Sequence, residues 1–283
     1  MNESQVERWN GTEADHWCTN ADRYDAQLAP FLDAIMTVAA IGEEAVLDVG
    51  CGCGALSFAA AARARRVVGL DLSDRLLNVA RDRATHSSVD NVEFVRGDAQ
   101  AWSADEPFDV LVSRFGVMFF DDPEQAFTAL RANVREGGRI VFASWQGLEH
   151  QAWLLEPAAA ASAFLTPGDE VITRGPGMFG LADPSVVETL LRNTGFGEVS
   201  LTEFRTDLSP GGPGAVAEAV DFFANTGMAR AMLADASPLA RADAIAAVTD
   251  VFAQHHDGTA VHMDAAAWIV SAVASEGAAF SVR

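Results

Sequence analysis

The chain has 283 residues, 49% of them apolar, and it carries 40 acidic against 19 basic side chains for a formal charge of −21. Nucleic-acid affinity comes mainly from cationic side chains that neutralise phosphates, so this charge argues against DNA or RNA as a substrate. Cys18, Cys51 and Cys53 are too few for a disulfide framework or a four-ligand zinc site, and we expect reduced thiols and no metal.

The hydropathy pattern gives no reason to expect contact with a membrane. No stretch of about 18 apolar residues without charge occurs, as a spanning helix would need. The polar, acidic first residues are the opposite of the basic and then apolar layout of a secretory signal. We therefore predict a soluble, cytoplasmic protein. The length favours a single domain with a cap.

The first half of the chain alternates apolar runs with helical patterns. Residues up to about 40 predict helix, because Leu28, Phe31 and Ile35 recur at helical spacing. A helix is also predicted over Pro123–Val134, ended by a turn at Gly137-Gly138. The predicted strands are Ala45–Val49, Arg66–Asp71, Val92–Val95, Phe108–Ser113 and Arg139–Trp145. This alternation indicates a doubly wound α/β fold, whose ligands lie beyond the carboxyl ends of the strands.

The pattern changes after Trp145. Its predicted elements are a helix over Gln151–Leu165, a mobile glycine- and proline-rich loop over 166–180, a helix from Asp183 to Gly195, a sixth strand over Glu198–Arg205, alanine-rich helices over Ala215–Ala234 and Pro238–His256, and a last strand over Ala266–Ala274. The long helical insertions predict a cap beside the sheet.

The first strand ends in a glycine turn, Gly50-Cys51-Gly52-Cys53-Gly54, that precedes a helix. Because its glycines have no side chains, such a turn lets backbone N–H groups approach a ligand closely. The turn alone is ambiguous, because Gly50, Gly52 and Ala55 also satisfy the Gly-x-Gly-x-x-Gly/Ala pattern of dinucleotide binding.

Three acidic positions bear on whether the cofactor is a dinucleotide or a zwitterion that carries an ammonium group. Asp48 lies two residues before the first glycine, where a carboxylate opposes a pyrophosphate but can bind an ammonium group. Asp71 ends the second strand, where it can accept both ribose hydroxyls of either cofactor. Gly97-Asp98-Ala99 follows the third strand and offers a carboxylate and an N–H to an adenine. Together they favour a zwitterionic cofactor.

Several motifs in order carry a family resemblance. They are Val46–Gly54, Gly69–Ser73, Gly97-Asp98-Ala99, Phe108–Phe120 and Gly137–Trp145. Over about residues 22–145, they resemble class I S-adenosylmethionine-dependent methyltransferases. Ser113–Pro123 resembles in particular the bacterial small-molecule group related to quinone-biosynthesis methyltransferases. Cys53 and Glu136 depart from the family pattern, which has a small hydroxyl residue or proline at the first position and proline at the second.

The resemblance implies a mainly parallel seven-stranded sheet of order 3-2-1-4-5-7-6, with strand 7 antiparallel. We predict a single methyltransferase domain over residues 1–283. Its predicted parts are an N-terminal helical lid (1–40), a cofactor-binding core (41–147), helical cap insertions (148–182 and 207–262) and segments that complete the sheet (183–206 and 263–283).

The resemblance also implies S-adenosylmethionine as cofactor, with S-adenosylhomocysteine as product. The residues it assigns to the cofactor are Asp48, Gly50, Cys51, Gly52 and Gly54 at the methionine end, Asp71 and Leu72 at the ribose, Asp98, Ala99 and Trp102 at the adenine, and Ser113 and Arg114 at the methyl end. The predicted substrate pocket comprises Trp17, Tyr24, Phe115, Met118, Phe119, Trp145 and Phe179. Core packing is the alternative for these apolar side chains.

Three predictions concern chemistry beyond the cofactor. Arg114 either binds a substrate carboxylate or pairs with Asp121 or Asp122. His150, just beyond strand five, is the candidate catalytic base, needed only if the acceptor is a hydroxyl or a charged amine. Thiol or metal chemistry is the less favoured interpretation of the cysteines, because Cys18 lies in a separate N-terminal segment.

The predicted reaction is in-line methyl transfer to an oxygen, nitrogen or carbon nucleophile of a small apolar or aromatic metabolite. The predicted partners include this small molecule but no nucleic acid and no membrane, and a homodimer is one option for assembly. An NAD(P)-dependent oxidoreductase and a non-catalytic S-adenosylmethionine-binding protein stay open as alternatives.

Overall fold

A computed structural model describes residues 3–165 and 177–275 of the chain. The strands are β1 (Ala45–Val49), β2 (Arg66–Asp71), β3 (Val92–Arg96), β4 (Phe108–Arg114), β5 (Val134–Trp145), β6 (Phe196–Leu208) and β7 (Met263–Ala274). The helices are α1 (Glu3–Asn10), α2 (Thr12–Thr19), α3 (Ala21–Ala39), α4 (Ala55–Ala61), α5 (Asp74–Ser87), α6 (Pro123–Ala132), α7 (Ala152–Ser162), α8 (Pro184–Asn193), α9 (Val216–Ala224), α10 (Gly227–Leu233) and α11 (Pro238–Gln254).

The strands form one sheet of order β3-β2-β1-β4-β5-β7-β6. β1 pairs in parallel with both β2 and β4, whereas β7 is antiparallel to both of its neighbours, β5 and β6. Every residue of β1 is buried, as expected for a central strand covered on both faces. The predicted fold class, strand order and direction of the last strand are confirmed.

Helix starts follow from local capping chemistry. Ser73 begins α5, and its Oγ accepts a hydrogen bond from the Leu76 N–H at 3.3 Å. Asp122 begins α6 in the same way through the Gln125 N–H at 2.9 Å, with Pro123 in the first turn, where its missing N–H costs nothing. These caps fix where the chain turns from the sheet edge into each helix.

The largest error in the predicted elements lies before β5. The predicted helix runs to Val134 and is followed by a separate glycine turn, but α6 ends at Ala132 and Gly137-Gly138 lies inside β5. The register explains this difference. Phe108 pairs with Val134 while Val110 pairs with Arg139, so β5 bulges between these two pairs, and Gly137 adopts φ +72° there.

The predicted helix Ala215–Ala234 is also wrong, because the chain breaks it into α9 and α10. Thr226 begins the second piece, and its Oγ1 accepts a hydrogen bond from the Ala229 N–H at 3.4 Å. Alanine-rich composition predicts helix on both sides of this position, but the capping side chain starts a new one.

The longest N-terminal helix, α3, packs directly on the sheet. α3 contacts β4, β5, β6 and β7, and its fully buried Phe31 meets the rings of Phe115, Trp145 and Phe204 edge-on at 5.0–5.4 Å between centroids. This packing places residues of α3 beside the carboxyl ends of the strands.

Within the described ranges, no helix combines the length and the apolar character needed to cross a bilayer. The predicted mobile loop over 166–180 lies outside the described residues up to position 176. The division into lid, core and cap, and the location in the cytoplasm, stay predictions.

Candidate functional site

A cavity lies at the carboxyl ends of the parallel strands, where ligands of doubly wound sheets bind. Its floor is made by the turns that follow β1, β2, β3 and β4 and by Trp145 at the end of β5. Its roof is made by side chains of α1, α2, α3 and α7, among them Gln5, Trp9, Trp17 and Trp153. Residues of the first half of the chain, together with Trp145, therefore supply the floor of the cavity and most of its roof.

Polar contacts hold the N-terminal helices over this cavity. Asn10 Nδ2 donates to the carbonyl of Leu72 at 3.4 Å, in the turn after β2. Asp15 of α2 forms an ion pair with Arg75 of α5. These contacts attach α1 to the turn after β2 and α2 to α5.

The glycine turn after β1 allows a close approach of two loops. Gly50 has φ +68°, and a Cβ there would lie 2.8 Å from the Cα of Gly116 in the turn after β4. A Cβ on Gly116 would in turn lie 2.6 Å from the carbonyl oxygen of Val49. Gly52 differs, since it lines the cavity at φ +54° and a Cβ there would meet nothing within 4 Å. Its surroundings leave open space for a ligand.

Asp48 is a buried carboxylate with one oxygen in use. It is 1% exposed, and its Oδ2 accepts a hydrogen bond from Ser57 Oγ at 2.6 Å. Its Oδ1 has no hydrogen-bond partner among the described residues, although Asp48 lines the cavity. Burial raises the pKa of Asp48 to about 7, against the lowering effects of Ser57 and Arg114. A cationic donor from a ligand would satisfy this oxygen.

Asp71 ties the glycine turn to the end of β2. Its Oδ2 accepts from the Gly52 N–H at 2.8 Å and its Oδ1 from the Ser73 N–H at 2.9 Å. Burial raises the pKa of Asp71, while these two N–H groups act in the opposite direction. Each carboxylate oxygen has a second lone pair, so the residue can still accept from ligand hydroxyls.

The turn after β3 brings Asp98 and Ala99 to the same cavity, and Leu72 lines it as well. The carboxylate of Asp98 accepts from the Gln100 N–H at 3.0 Å, which shapes the turn. Trp102 is not among the cavity-lining residues. Its ring lies against Gly97 and packs near Phe108 with 6.4 Å between centroids, so it supports the turn from below.

Two stacked aromatic pairs wall the cavity. Trp17 and Tyr24 stack with 3.6 Å between ring centroids, and Phe115 and Trp145 stack with 4.0 Å. Phe115 has φ +63°, a left-handed conformation that a bulky side chain rarely adopts, and such strain is concentrated at ligand sites. Met118 and Phe119 also line the cavity.

Arg114 pairs with a residue that the sequence did not suggest. Its Nη2 donates to Asp25 Oδ1 of α3 at 3.1 Å, so the predicted pairing with Asp121 or Asp122 is wrong, and Asp122 caps α6 instead. Its Nη1 is buried and has no hydrogen-bond partner among the described residues. The guanidinium lies at the cavity with one donor group unused.

Five predicted site residues do not line the cavity: Trp102, described above, and Gly54, Ser113, His150 and Phe179. Ser113 Oγ donates to the Val49 carbonyl at 2.7 Å and fastens β4 to β1. His150 lies in the short 3₁₀ turn Leu148–His150 and is 41% exposed, with its nearest carboxylate on Glu149 at 3.8 Å. Met178 lines the cavity where its neighbour Phe179 was predicted to.

The cysteines lie closer together than their sequence positions suggest. Cys18 lies in a separate N-terminal segment, α2, as predicted, but it packs in the same small cluster as Cys53, so the two are not apart in space. Burial raises the pKa of all three thiols, that of Cys53 to about 12. The described residues contain no group of three or more ligating side chains that would hold a metal ion.

Sequence reasoning missed Gln5 and Asp25. Gln5 is 6% exposed, lines the cavity and has an unpartnered Oε1. Asp25 interrupts the apolar stripe of α3 between Tyr24 and Leu28. A carboxylate on the buried face of a helix is the one sequence signal that indicates a charged or polar partner there.

Residues 46–138 match the family described as a methyltransferase domain. The chain is also similar to a ubiquinone biosynthesis O-methyltransferase of Saccharophagus degradans, with 35% identity over 108 residues, which are 38% of this chain and 45% of the relative. Residues 46–138 therefore belong to a methyltransferase domain, whose cofactor is S-adenosylmethionine.

Solved structures extend the likeness of this methyltransferase domain to most of the chain. The YcgJ protein of Bacillus subtilis has a TM-score of 0.58 at 18% identity, covering 88% of this chain and 100% of that one. The magnesium protoporphyrin IX methyltransferase of Synechocystis, solved with bound S-adenosylhomocysteine, has a TM-score of 0.55 at 14% identity, covering 97% and 100%. At such identities these structures establish the fold. The chain spans less than half the length of the curated relative.

Proposed function

We propose that the chain transfers a methyl group from S-adenosylmethionine to an oxygen, nitrogen or carbon nucleophile of a small aromatic metabolite. The observation that carries this proposal is the unpartnered Oδ1 of Asp48, a buried carboxylate oxygen at the cavity beside the glycine turn. A carboxylate in this position suits an ammonium group and disfavours a phosphate.

The charges around the cavity favour a zwitterionic cofactor over a dinucleotide. Asp48 would hold the ammonium of the methionine part, Asp71 the ribose hydroxyls, and Asp98 with Ala99 the adenine. These three aspartates line one cavity together with Asp25, and they would repel a pyrophosphate. The oxidoreductase alternative is therefore the weaker one.

The bound cofactor supplies an activated methyl group on a sulfonium, so the chain's own contribution is alignment and dehydration. The two stacked pairs, Trp17 with Tyr24 and Phe115 with Trp145, offer flat apolar walls for an acceptor. No histidine is among the described residues that line the cavity. His150 as a base is accordingly no part of the proposed mechanism.

The aromatic walls and the relative together suggest the acceptor class. The similar protein of Saccharophagus degradans is named for ubiquinone biosynthesis, and planar rings bind well against stacked aromatic side chains. We therefore place a quinone-like or other planar aromatic acceptor between the end of β5 and the roof of the cavity.

Calorimetric titration with S-adenosylhomocysteine and with NADH tests the cofactor. We expect the first to bind and the second not, and Asp71→Ala to weaken binding of the first at least about tenfold, since several hydrogen bonds are lost. Asp105→Ala removes an exposed carboxylate away from the cavity and is the matched control. Binding of NADH alone would establish the oxidoreductase alternative.

Turnover is tested with methyl-labelled S-adenosylmethionine and a panel of aromatic phenols, acids and amines. Transfer of label to any of them supports the enzyme. Cofactor binding without transfer across such a panel would instead support the non-catalytic binding protein. His150→Ala is expected to keep its rate, and a large loss of rate would restore that residue as a base.

A further inference from the structure

The strand order divides the cavity into two sides. Asp71 and Asp98 follow β2 and β3, on one side of β1, and the proposed function assigns them to the ribose and the adenine. Arg114 and Phe115 lie at the end of β4, and Trp145 at the end of β5, on the other side of β1. The β4 and β5 side is therefore the place for the methyl acceptor.

Arg114 is the one cationic side chain among the described residues that line the cavity. Its side chain is 11% exposed. Nη2 is bonded to Asp25, but Nη1 is buried with no partner in the described part of the chain. A buried N–H of a charged group left without an acceptor is destabilising, so a ligand oxygen is expected there.

The ion pair with Asp25 does not use up the charge of Arg114. Asp25 is shared, because its Oδ2 also accepts from Arg83 Nη1 at 2.9 Å, and Arg83 is further paired with the largely exposed Asp22. The guanidinium groups of Arg114 and Arg83 thus both bind the half-buried carboxylate of Asp25. Asp25 also fixes where Arg114 points, from a helix of the roof.

We propose that Arg114 binds an anionic oxygen of the methyl acceptor, a carboxylate or an ionised phenol carried by a planar aromatic ring. The inference rests on the proposed function and names the acceptor class of that same site. Arg114 is followed directly by Phe115, whose ring is stacked on Trp145, so the cation and a flat aromatic wall are adjacent.

The charge of the whole protein makes this guanidinium necessary for such a ligand. The formal charge is −21, and four aspartates line the cavity. An anion enters such a field only where a desolvated cation offers charge-assisted hydrogen bonds. A neutral oxygen can also accept from Nη1, but only an anionic oxygen forms the stronger, charge-assisted hydrogen bond.

The test compares benzoate with benzamide, which has nearly the same shape but no charge, by calorimetry on the protein saturated with S-adenosylhomocysteine. The wild type is expected to bind benzoate at least about tenfold more tightly than benzamide. Arg114→Gln is expected to bring the two affinities together, and Arg114→Lys to keep part of the preference because it keeps the charge. Thermal melts check that both variants fold.

The same titrations separate the acceptor from the other source of an anionic oxygen, the cofactor's own carboxylate. Arg114 lowers the pKa of Asp48, so this comparison is made at a pH of about 8, where Asp48 is mostly ionised. The affinity of Arg114→Gln for S-adenosylhomocysteine is expected there to stay within about twofold of the wild type. A loss of tenfold or more would overturn the proposal whatever the benzoate result, as would equal binding of benzoate and benzamide by the wild type. If the wild type fails to bind S-adenosylhomocysteine, the proposed function fails, while the benzoate comparison on the free protein still tests Arg114.

Discussion

Asp48→Asn is expected to remove the pH dependence of cofactor binding. In the free protein, burial raises the pKa of Asp48 to about 7 from 3.8. An ammonium group placed at its unpartnered Oδ1 requires the ionised form. Binding therefore has to remove the proton from Asp48 wherever the pH lies below about 7, and affinity is lost there by linkage.

The size of the effect follows from that pKa. At a pH of about 6, roughly one tenth of the free protein carries ionised Asp48, and at a pH of about 8 roughly nine tenths does. The dissociation constant for S-adenosylhomocysteine should therefore fall about tenfold between these conditions. The asparagine side chain of the variant cannot ionise, so the variant should bind weakly and equally at both.

The assay is calorimetric titration of wild type and Asp48→Asn with S-adenosylhomocysteine at several pH values. Stability gives an independent check, because a carboxylate whose pKa is raised in the folded state loses stability as the pH rises from 3.8 to about 7. The variant should lack that loss in urea unfolding. A wild-type affinity that is flat across this range, or one that weakens with rising pH, would refute the role given to Asp48.

Other predictions concern the turn and the core. Gly52→Ala should cost about 1–2 kcal/mol of stability because of its positive φ, and it should weaken S-adenosylhomocysteine binding tenfold or more, since the new methyl group enters the cavity. Gly42→Ala is the control, because a Cβ at Gly42 would meet nothing within 4 Å and Gly42 lies outside the cavity. Equal binding of S-adenosylhomocysteine by both variants would contradict the assignment of Gly52 to the cofactor. Phe31→Ala should lower the free energy of unfolding by about 3–5 kcal/mol in urea titrations, and a loss below about 1 kcal/mol would show that the site repacks. Burial lowers the pKa of His16 below 6.5 in the folded protein. As the pH drops below 6.5, His16 is therefore protonated more readily in the unfolded chain, and the free energy of unfolding should fall. His16→Gln should reduce this pH dependence of stability in acid unfolding curves.

The positions of the first five strands were predictable because the signals that specify them are local, whereas the order of the strands in the sheet came from the family resemblance. A buried apolar run, a glycine turn and a helix-forming run follow one another at β1, and similar alternation recurs as far as β5. The bulge at Gly137-Gly138 was not predictable, since it depends on how β5 pairs with β4. A glycine pair has the same local meaning in a turn and in a bulge.

The cavity was predictable on its floor and not on its roof. The acids after β2 and β3 reach the cavity because parallel strands end at one edge of the sheet. Asp25 comes to Arg114 only through the packing of α3 across the sheet, which no sequence spacing specifies. His150 lies outside the cavity lining for the converse reason, because proximity to the end of β5 does not determine which way a short 3₁₀ turn directs its side chain.

The packing of α3 links assembly of the site to the last strand of the sheet. α3 lies near the start of the described chain, yet it packs on β5 and on β7, which is near its end. Contacts of such large sequence separation form late in folding, because a long loop must close first. The carboxylate that aims Arg114 therefore reaches its place only after α3 has packed on β4 and β5, which follow β1 and β2 in the chain. A partly folded chain would have its glycine turn and the acids of β1 and β2 but no oriented guanidinium, so cofactor binding is expected to recover before acceptor binding during refolding.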